Sequence, residues 1–124
     1  MYCEREAAAQ IGRLGEEKTA QYLKSRGYII IKRNWRDSRY GEIDIIAEGR
    51  ENILFVEVRT RKAGAIVTGA ESVDAGKLVR VKNAAMQFMS RFNSDLPFRV
   101  DVADMAYQKS GDKITWQLRY IENV

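Results

Sequence analysis

The sequence predicts an α/β domain: a mixed β-sheet flanked by two helices in the order α-β-β-β-α-β-β. Three observations carry that prediction. Two stretches are helical in character, the second with apolar residues at i, i+3 and i+4 spacing. Two short runs, Gly41-Glu42-Ile43-Asp44-Ile45-Ile46 and Leu54-Phe55-Val56-Glu57-Val58-Arg59, are rich in β-branched and aromatic residues. The turn residues Gly49-Arg50-Glu51-Asn52 between them make the pair an antiparallel hairpin. A helix then separates the second hairpin strand from the next strand, and such a crossover builds a right-handed parallel unit. Hairpin and crossover together give a mixed sheet.

In chain order, residues 4–26 read as the first helix, rich in Ala, Glu, Lys and Gln, with Gly27 as its stop. Glu16 stands four residues before Ala20 and seven before Leu23, on the side that packs. Gly12 and Gly15 beside it would let the backbone approach the sheet. A surface Glu paired with Lys18 or Lys24 is the alternative for Glu16. Residues 28–34 (YIIIKRN) form the first strand, followed by a loop through Tyr40. The hairpin strands span about 41–48 and 52–60. From Thr60 to Ser72 the pattern collapses into a Gly-containing stretch of the kind that is often functional or a plain connection. The second helix, 73–91, carries the stripe Leu78, Val81, Ala85, Phe88, Met89 and Phe92, which is core packing; Lys77 on another face reads as a solvated lysine. A fourth strand covers 98–106, the Ser110-Gly111-Asp112 turn follows, and the last strand covers 114–121.

Composition narrows the chemistry. A chain of 124 residues is the length of one domain with a core of its own. No apolar run approaches the ~20 residues of a membrane span, and the charged Glu4, Arg5 and Glu6 argue against a signal peptide. The single cysteine, Cys3, cannot close an internal disulfide, so a cytoplasmic setting is expected. There is no histidine. A histidine base, a Ser-His-Asp triad and a Cys/His zinc site are therefore excluded, and any metal site must be built from oxygen, which favours magnesium or manganese. The net charge of +4 is unevenly placed. Lys32, Arg33, Arg36 and Arg39 form one cluster, interleaved with Trp35 and Tyr40; Arg59, Arg61 and Lys62 form another. Cations alternating with aromatics suit a phosphate backbone and a stacking surface, although a solvated charged face is the plainer reading.

Side-chain alternation along the hairpin places Asp44 on a face with Ile46, and Ile43, Ile45 and Ala47 on the other. Glu57 and Arg59 share a face; Leu54, Val56 and Val58 take the opposite one. Two acids and a cation then converge on one side of a sheet whose other side is apolar. Neighbouring carboxylates repel unless a proton or a cation lies between them. A hard divalent ion would resolve the conflict, and so would an ordinary ion-pair ladder through Arg59.

The hairpin resembles the active-site core of the restriction-endonuclease-like (PD-(D/E)XK) nuclease superfamily, with Asp44 as its Asp and Glu57-Val58-Arg59 as its (D/E)-X-K element. The whole chain is similar to the YraN-like family of predicted endonucleases, distantly similar to archaeal Holliday-junction resolvases. The residues that carry this are Gly12-Arg-Leu-Gly15-Glu16, Tyr22-Leu23, Gly27-Tyr28, Asn34-Trp35-Arg36, Gly41-Glu42-Ile43-Asp44, 55–61 (FVEVRTR), Lys77 and Arg99-Val100-Asp101-Val102. The resemblance implies a restriction-endonuclease-like fold and metal-dependent phosphodiester hydrolysis. Asp44 and Glu57 would hold magnesium or manganese with the Val58 carbonyl, and Glu16 would reach the ion through water. Lys77 would join the nucleic-acid-binding cations.

One residue departs from the signature: Arg59 stands where the superfamily usually has Lys. Arginine cannot shed its proton, so Arg59 is suited to clamping a phosphate and not to acting as a base. The leading expectation is a magnesium-dependent DNA endonuclease acting on branched or structured DNA. Two alternatives stay open: a nucleic-acid-binding module with weak or lost catalysis, and a protein-interaction domain with a structural carboxylate cluster. The expected partners are nucleic acid, DNA foremost, and no membrane, with a homodimer left open.

Overall fold

The computed structural model describes residues 4–64 and 75–124. The elements are α1 (Glu4–Ser25), β1 (Ile29–Asp37), β2 (Gly41–Glu48), β3 (Ile53–Lys62), α2 (Ala75–Arg91), β4 (Phe98–Ser110) and β5 (Lys113–Ile121). The five strands form one sheet in the order β1-β2-β3-β4-β5. Neighbours are antiparallel except β3 and β4, which run parallel with α2 between them in sequence. This is the mixed sheet flanked by two helices that the sequence predicts.

Three strands run past their expected ends: β3 continues through Arg61 to Lys62, and β1 and β4 are longer still. β1 continues past Asn34 to Asp37, and only 38–40 turn. The Asp37 carboxylate closes that turn by accepting from the Arg39 N–H (2.8 Å) and the Tyr40 N–H (3.0 Å). β4 runs on to Ser110, paired with β5 from Val102↔Ile121 as far as Ser110↔Lys113. The turn at 49–52 is as expected, with the Gly49 N–H donating to the Asn52 carbonyl at 2.9 Å. Most of the unpatterned stretch after Thr60, and the first two residues expected in the second helix, lie outside the described residues.

The sheet is apolar on both faces, which corrects the one-sided core expected. α1 brings Ala20 and Leu23 onto Ile45, Ala47, Leu54, Val56 and Ala103. α2 brings Val81, Ala84, Ala85 and Phe88 onto Ile43, Ile46, Ile53, Phe55 and Val100. β3 is covered on both sides, and this explains the unbroken apolar run 53–56 (ILFV). Ile43 therefore shares a core with Ile46 and not with Ile45 and Ala47. Strict alternation along β2 fails at Asp44. Opposite, β1 carries Asn34 at a φ of 50°, in the left-handed region, between the pairs Arg33↔Ile45 and Trp35↔Ile43.

α1 lies against β3 through Gly15, which is buried. A Cβ there would run into Thr60 Oγ1. Gly12, by contrast, has open space where its side chain would be, so only Gly15 makes the close approach expected of both. Gly15→Ala is expected to destabilise the protein by about 1–3 kcal/mol, the usual penalty for overpacking. Thermal unfolding of Gly15→Ala, Thr60→Ala and the double variant checks this: the double variant should recover most of the loss, and additive losses would show that Thr60 is not the obstacle.

Candidate functional site

The β2–β3 pairing runs from Glu48↔Ile53 to Ile45↔Val56. Asp44 is the next residue of β2, and its carboxylate accepts a hydrogen bond from the Val58 N–H at 2.8 Å. A side chain thus takes up a strand amide at the point where the two strands part. Glu57 lies beside it on β3 and is buried, 4% exposed. On β3 it has the parity of Ile53 and Phe55, the α2 side, and from α2 the Lys77 ammonium forms an ion pair with it. Lys77 is exposed, as a solvated helix lysine would be, but its ammonium is also tied to a buried acid.

Asp44, Glu57, Glu16 and Lys77 line one cleft of about 390 Å³, together with Gly12, Val58, Thr60, Arg61 and Tyr107. Burial and the Glu57 charge push the Asp44 carboxyl up from 3.8 to about 7, against the pull of the Val58 N–H. Burial, then Glu42 and more weakly Glu57, also raise Glu16, while its hydrogen bond with Asn34 and the charge of Arg33 lower it. Glu16 is therefore bonded to β1 and faces the acids; the expected surface pairing with Lys18 or Lys24 is not what engages it. The salt bridge on this side of the helix belongs to its neighbour, Glu17 with Arg33 at 2.6 Å.

The donor set suits a hard divalent cation: two neighbouring carboxylates, the backbone around Val58 and, among the described residues lining the cleft, no histidine or cysteine. Among the described residues no three acidic, His or Cys side chains group closely enough to cage an ion alone. An ion here would be held by Asp44 and Glu57, a backbone carbonyl and water, which is the pattern magnesium accepts because it keeps several waters.

The cations divide. Arg59 is half-buried and is not among the residues lining the cleft. Arg61 lines it and pairs with Asp104 of β4 at 2.5 Å. Lys32, Arg33 and Arg36 lie on the edge strand β1 and Arg39 in the turn after it. Arg36 pairs with Glu42 at 3.2 Å, and the Arg39 guanidinium stands 6.0 Å from the Tyr40 ring. Trp35 and Tyr40, expected to offer a stacking surface, are both partly buried against the α2-side core. Trp35 meets Phe88 edge-on at 5.3 Å. Lys62 is exposed at the end of β3.

Sequence reasoning missed Asp104, Tyr107 and the buried role of Asp101. Asp101 is fully buried and accepts from Arg99 Nε (3.0 and 3.1 Å), the Tyr120 hydroxyl (2.6 Å) and the Asn123 N–H (2.8 Å). A lone acid inside an apolar strand, 100–103 (VDVA), is the signal that could have exposed it.

Residues 15–105 match the family model described as Uncharacterised protein family UPF0102. That span contains Glu16, Asp44, Glu57, Lys77 and Asp101. A UPF0102 protein of Syntrophomonas wolfei is 37% identical over 108 residues, 85% of this chain and 91% of that protein. One from Dictyoglomus turgidum is 37% identical over 117 residues, covering 92% and 95%. One from Nitrosococcus oceani is 35% identical over 107 residues, covering 85% and 86%. Among the described residues no helix is long and apolar enough to cross a membrane. With the family model covering most of the chain and relatives aligned over nearly their whole length, this protein belongs to the UPF0102 family.

Proposed function

We propose that this protein is a divalent-metal-dependent DNA endonuclease of the restriction-endonuclease-like kind, acting on branched or otherwise structured DNA. One observation carries the reading. Asp44 and Glu57 face a single cleft where β2 and β3 part, the Asp44 carboxyl raised by burial and by the Glu57 charge, with cationic side chains alongside. Such strain at a concave site is the mark of a functional cluster. Magnesium or manganese bound between the acids would offset their charge, help water act as nucleophile and stabilise the phosphate in its transition state.

The protein's own groups prepare that chemistry. The Val58 N–H fixes the Asp44 carboxylate in orientation. Lys77 balances Glu57 and sets a positive charge at the rim, where a phosphodiester arrives. Arg61 adds a planar donor on the same cleft. Glu16 closes the α1 side and is placed to accept a hydrogen bond from water near the acids.

The test is cleavage of labelled single-stranded, duplex, flap and four-way-junction DNA, with magnesium or manganese and with chelator. Cleavage of at least one substrate is expected, abolished by chelator and by Glu57→Gln. DNA binding with no turnover in either ion would support the binding-module reading. Absence of both binding and turnover would favour a protein-interaction domain.

Arg59 supplies a separate expectation. As a fixed phosphate clamp two residues from Glu57 on β3, it should keep or gain activity in Arg59→Lys, whereas Arg59→Ala should lose about 10²–10³-fold in rate, the scale for one transition-state donor. Equal rates for wild type and Arg59→Ala, with Arg61→Ala slow, would move the clamp to Arg61.

A further inference from the structure

Past the carboxylates the cleft continues into a second hollow of about 300 Å³, lined by Ala7, Ala8, Ile11, Lys62, Tyr107 and Lys109. Ala8, Ile11 and Tyr107 line both, so the two make one groove. Its floor is the far end of the parallel pair, where Arg61 lies beside Ala106 and Lys62 beside Tyr107. Its wall is the early part of α1. From Glu57 to Lys62 is five residues of strand, roughly 16 Å at ~3.3 Å each, room for a short run of nucleotides.

The lining has a particular chemistry. Small apolar side chains of α1 face an aromatic ring, two lysines flank it, and among the described residues lining the hollow none is acidic. Tyr107 is backed by its cross-strand partner Trp116, with ring centroids 5.8 Å apart. On β1 the opposite holds: two of the arginines are paired with acids, and Trp35 is committed to the core.

We propose that this groove binds a single-stranded segment of nucleic acid, with a base stacked on Tyr107 and backbone phosphates on Lys62 and Lys109, leading the strand to the carboxylates. The proposal rests on the nuclease reading for its direction, but not for its chemistry. An aromatic face beside a cationic track is how sequence-neutral single-strand sites are built. A duplex keeps its bases stacked on one another and has none to offer Tyr107, so the occupant is unpaired.

The experiment is performed with the full chain in chelator, so that no cleavage enters the readout. Binding of labelled oligothymidylate is followed by anisotropy, and location by tryptophan emission. The two tryptophans are Trp35 and Trp116, so loss of the response in Trp116→Phe assigns it to the groove. Expected results are quenching by oligothymidylate, weaker binding as salt rises, and about a 10-fold or larger loss of affinity in both Tyr107→Leu and Lys62→Gln/Lys109→Gln. Duplex of the same length should bind with no dependence on Tyr107. Tyr107→Leu keeps apolar bulk, and the lysine pair is exposed, so the two variants guard against a folding artefact in either. Unchanged affinity in either overturns the proposal, as does displacement by polyglutamate at the same charge concentration, or duplex binding with the same dependence on Tyr107. A groove that binds as expected in a protein that cleaves nothing with magnesium would overturn the nuclease reading alone. Cleavage with binding indifferent to Tyr107 would overturn the groove alone.

Discussion

Asp101→Ala is expected to destabilise the protein by about 3–5 kcal/mol, the range for removing one partner from a buried charged pair. Asp101 is fully buried and satisfied on both oxygens. It ties β4 to β5 through Tyr120, to the C-terminal segment through the Asn123 N–H, and to Arg99, which reaches on to Glu122 at 3.3 Å. Tyr120 also lies against Tyr22 of α1, with ring centroids 5.4 Å apart. Losing the carboxylate leaves the Tyr120 hydroxyl and the Asn123 N–H without their acceptor and Arg99 with Glu122 alone. Burial and the Asp101 carboxylate raise the Tyr120 pKa, so the hydroxyl stays a donor throughout the working range of pH. Tyr120→Phe removes one donor and should cost less, about 1–2 kcal/mol. Urea unfolding with an unchanged m-value checks both. A loss under about 1 kcal/mol for Asp101→Ala would mean that the network closes again without it.

Much of the fold was legible because local and global signals agree. The hairpin was written in 49–52 turn chemistry and β-branched strands, and the crossover in the α2 stripe. β1 was cut short because Asn34 and the charged 36–37 resemble a loop; the strand persists through a left-handed Asn34 that a one-dimensional pattern does not announce. The one-sided core failed for a related reason. Alternation assumes a regular strand, and β2 departs from it at Asp44, where pairing to β3 ends.

The site was legible in part. Parity along β3 correctly sets Glu57 off from Leu54, Val56 and Val58, which lie toward α1. It could not say that Lys77, twenty residues later, would reach Glu57, because that depends on how α2 docks. Nor could it rank Arg59 against Arg61: both share Glu57's parity, and only the shape of the cleft separates them. Trp35 and Tyr40 looked available for stacking because they sit among arginines, yet both are partly buried against the core on the α2 side. The aromatic residue that does line the cleft, Tyr107, lies fifty residues from Glu57 in sequence and arrives through parallel pairing, a long-range fact.

Asp44→Asn should lower metal-dependent cleavage by about 10³-fold or more and, at the same time, stabilise the folded protein at alkaline pH. The first effect follows from removing a negatively charged ligand. The second follows from the direction of the Asp44 shift. Its carboxyl is raised from 3.8 to about 7 in the folded protein by burial and by Glu57. Below pH ~4 it is protonated in both folded and unfolded chains and contributes nothing. Between ~4 and 7 folding takes up a proton, so stability falls as pH rises. Above 7 the folded protein carries the full penalty of an ionised acid beside Glu57, on the order of 2–4 kcal/mol. Asparagine keeps an acceptor for the Val58 N–H and never ionises. The melting temperature of Asp44→Asn should therefore exceed that of wild type at pH 8, and the difference should shrink toward pH 4. Magnesium, which binds the ionised form, should raise the melting temperature of wild type at pH 8 and leave Asp44→Asn where it was. An Asn variant less stable than wild type at pH 8, or a difference that does not vary with pH, would show that Asp44 serves structure through Val58 and is not held in readiness for a cation.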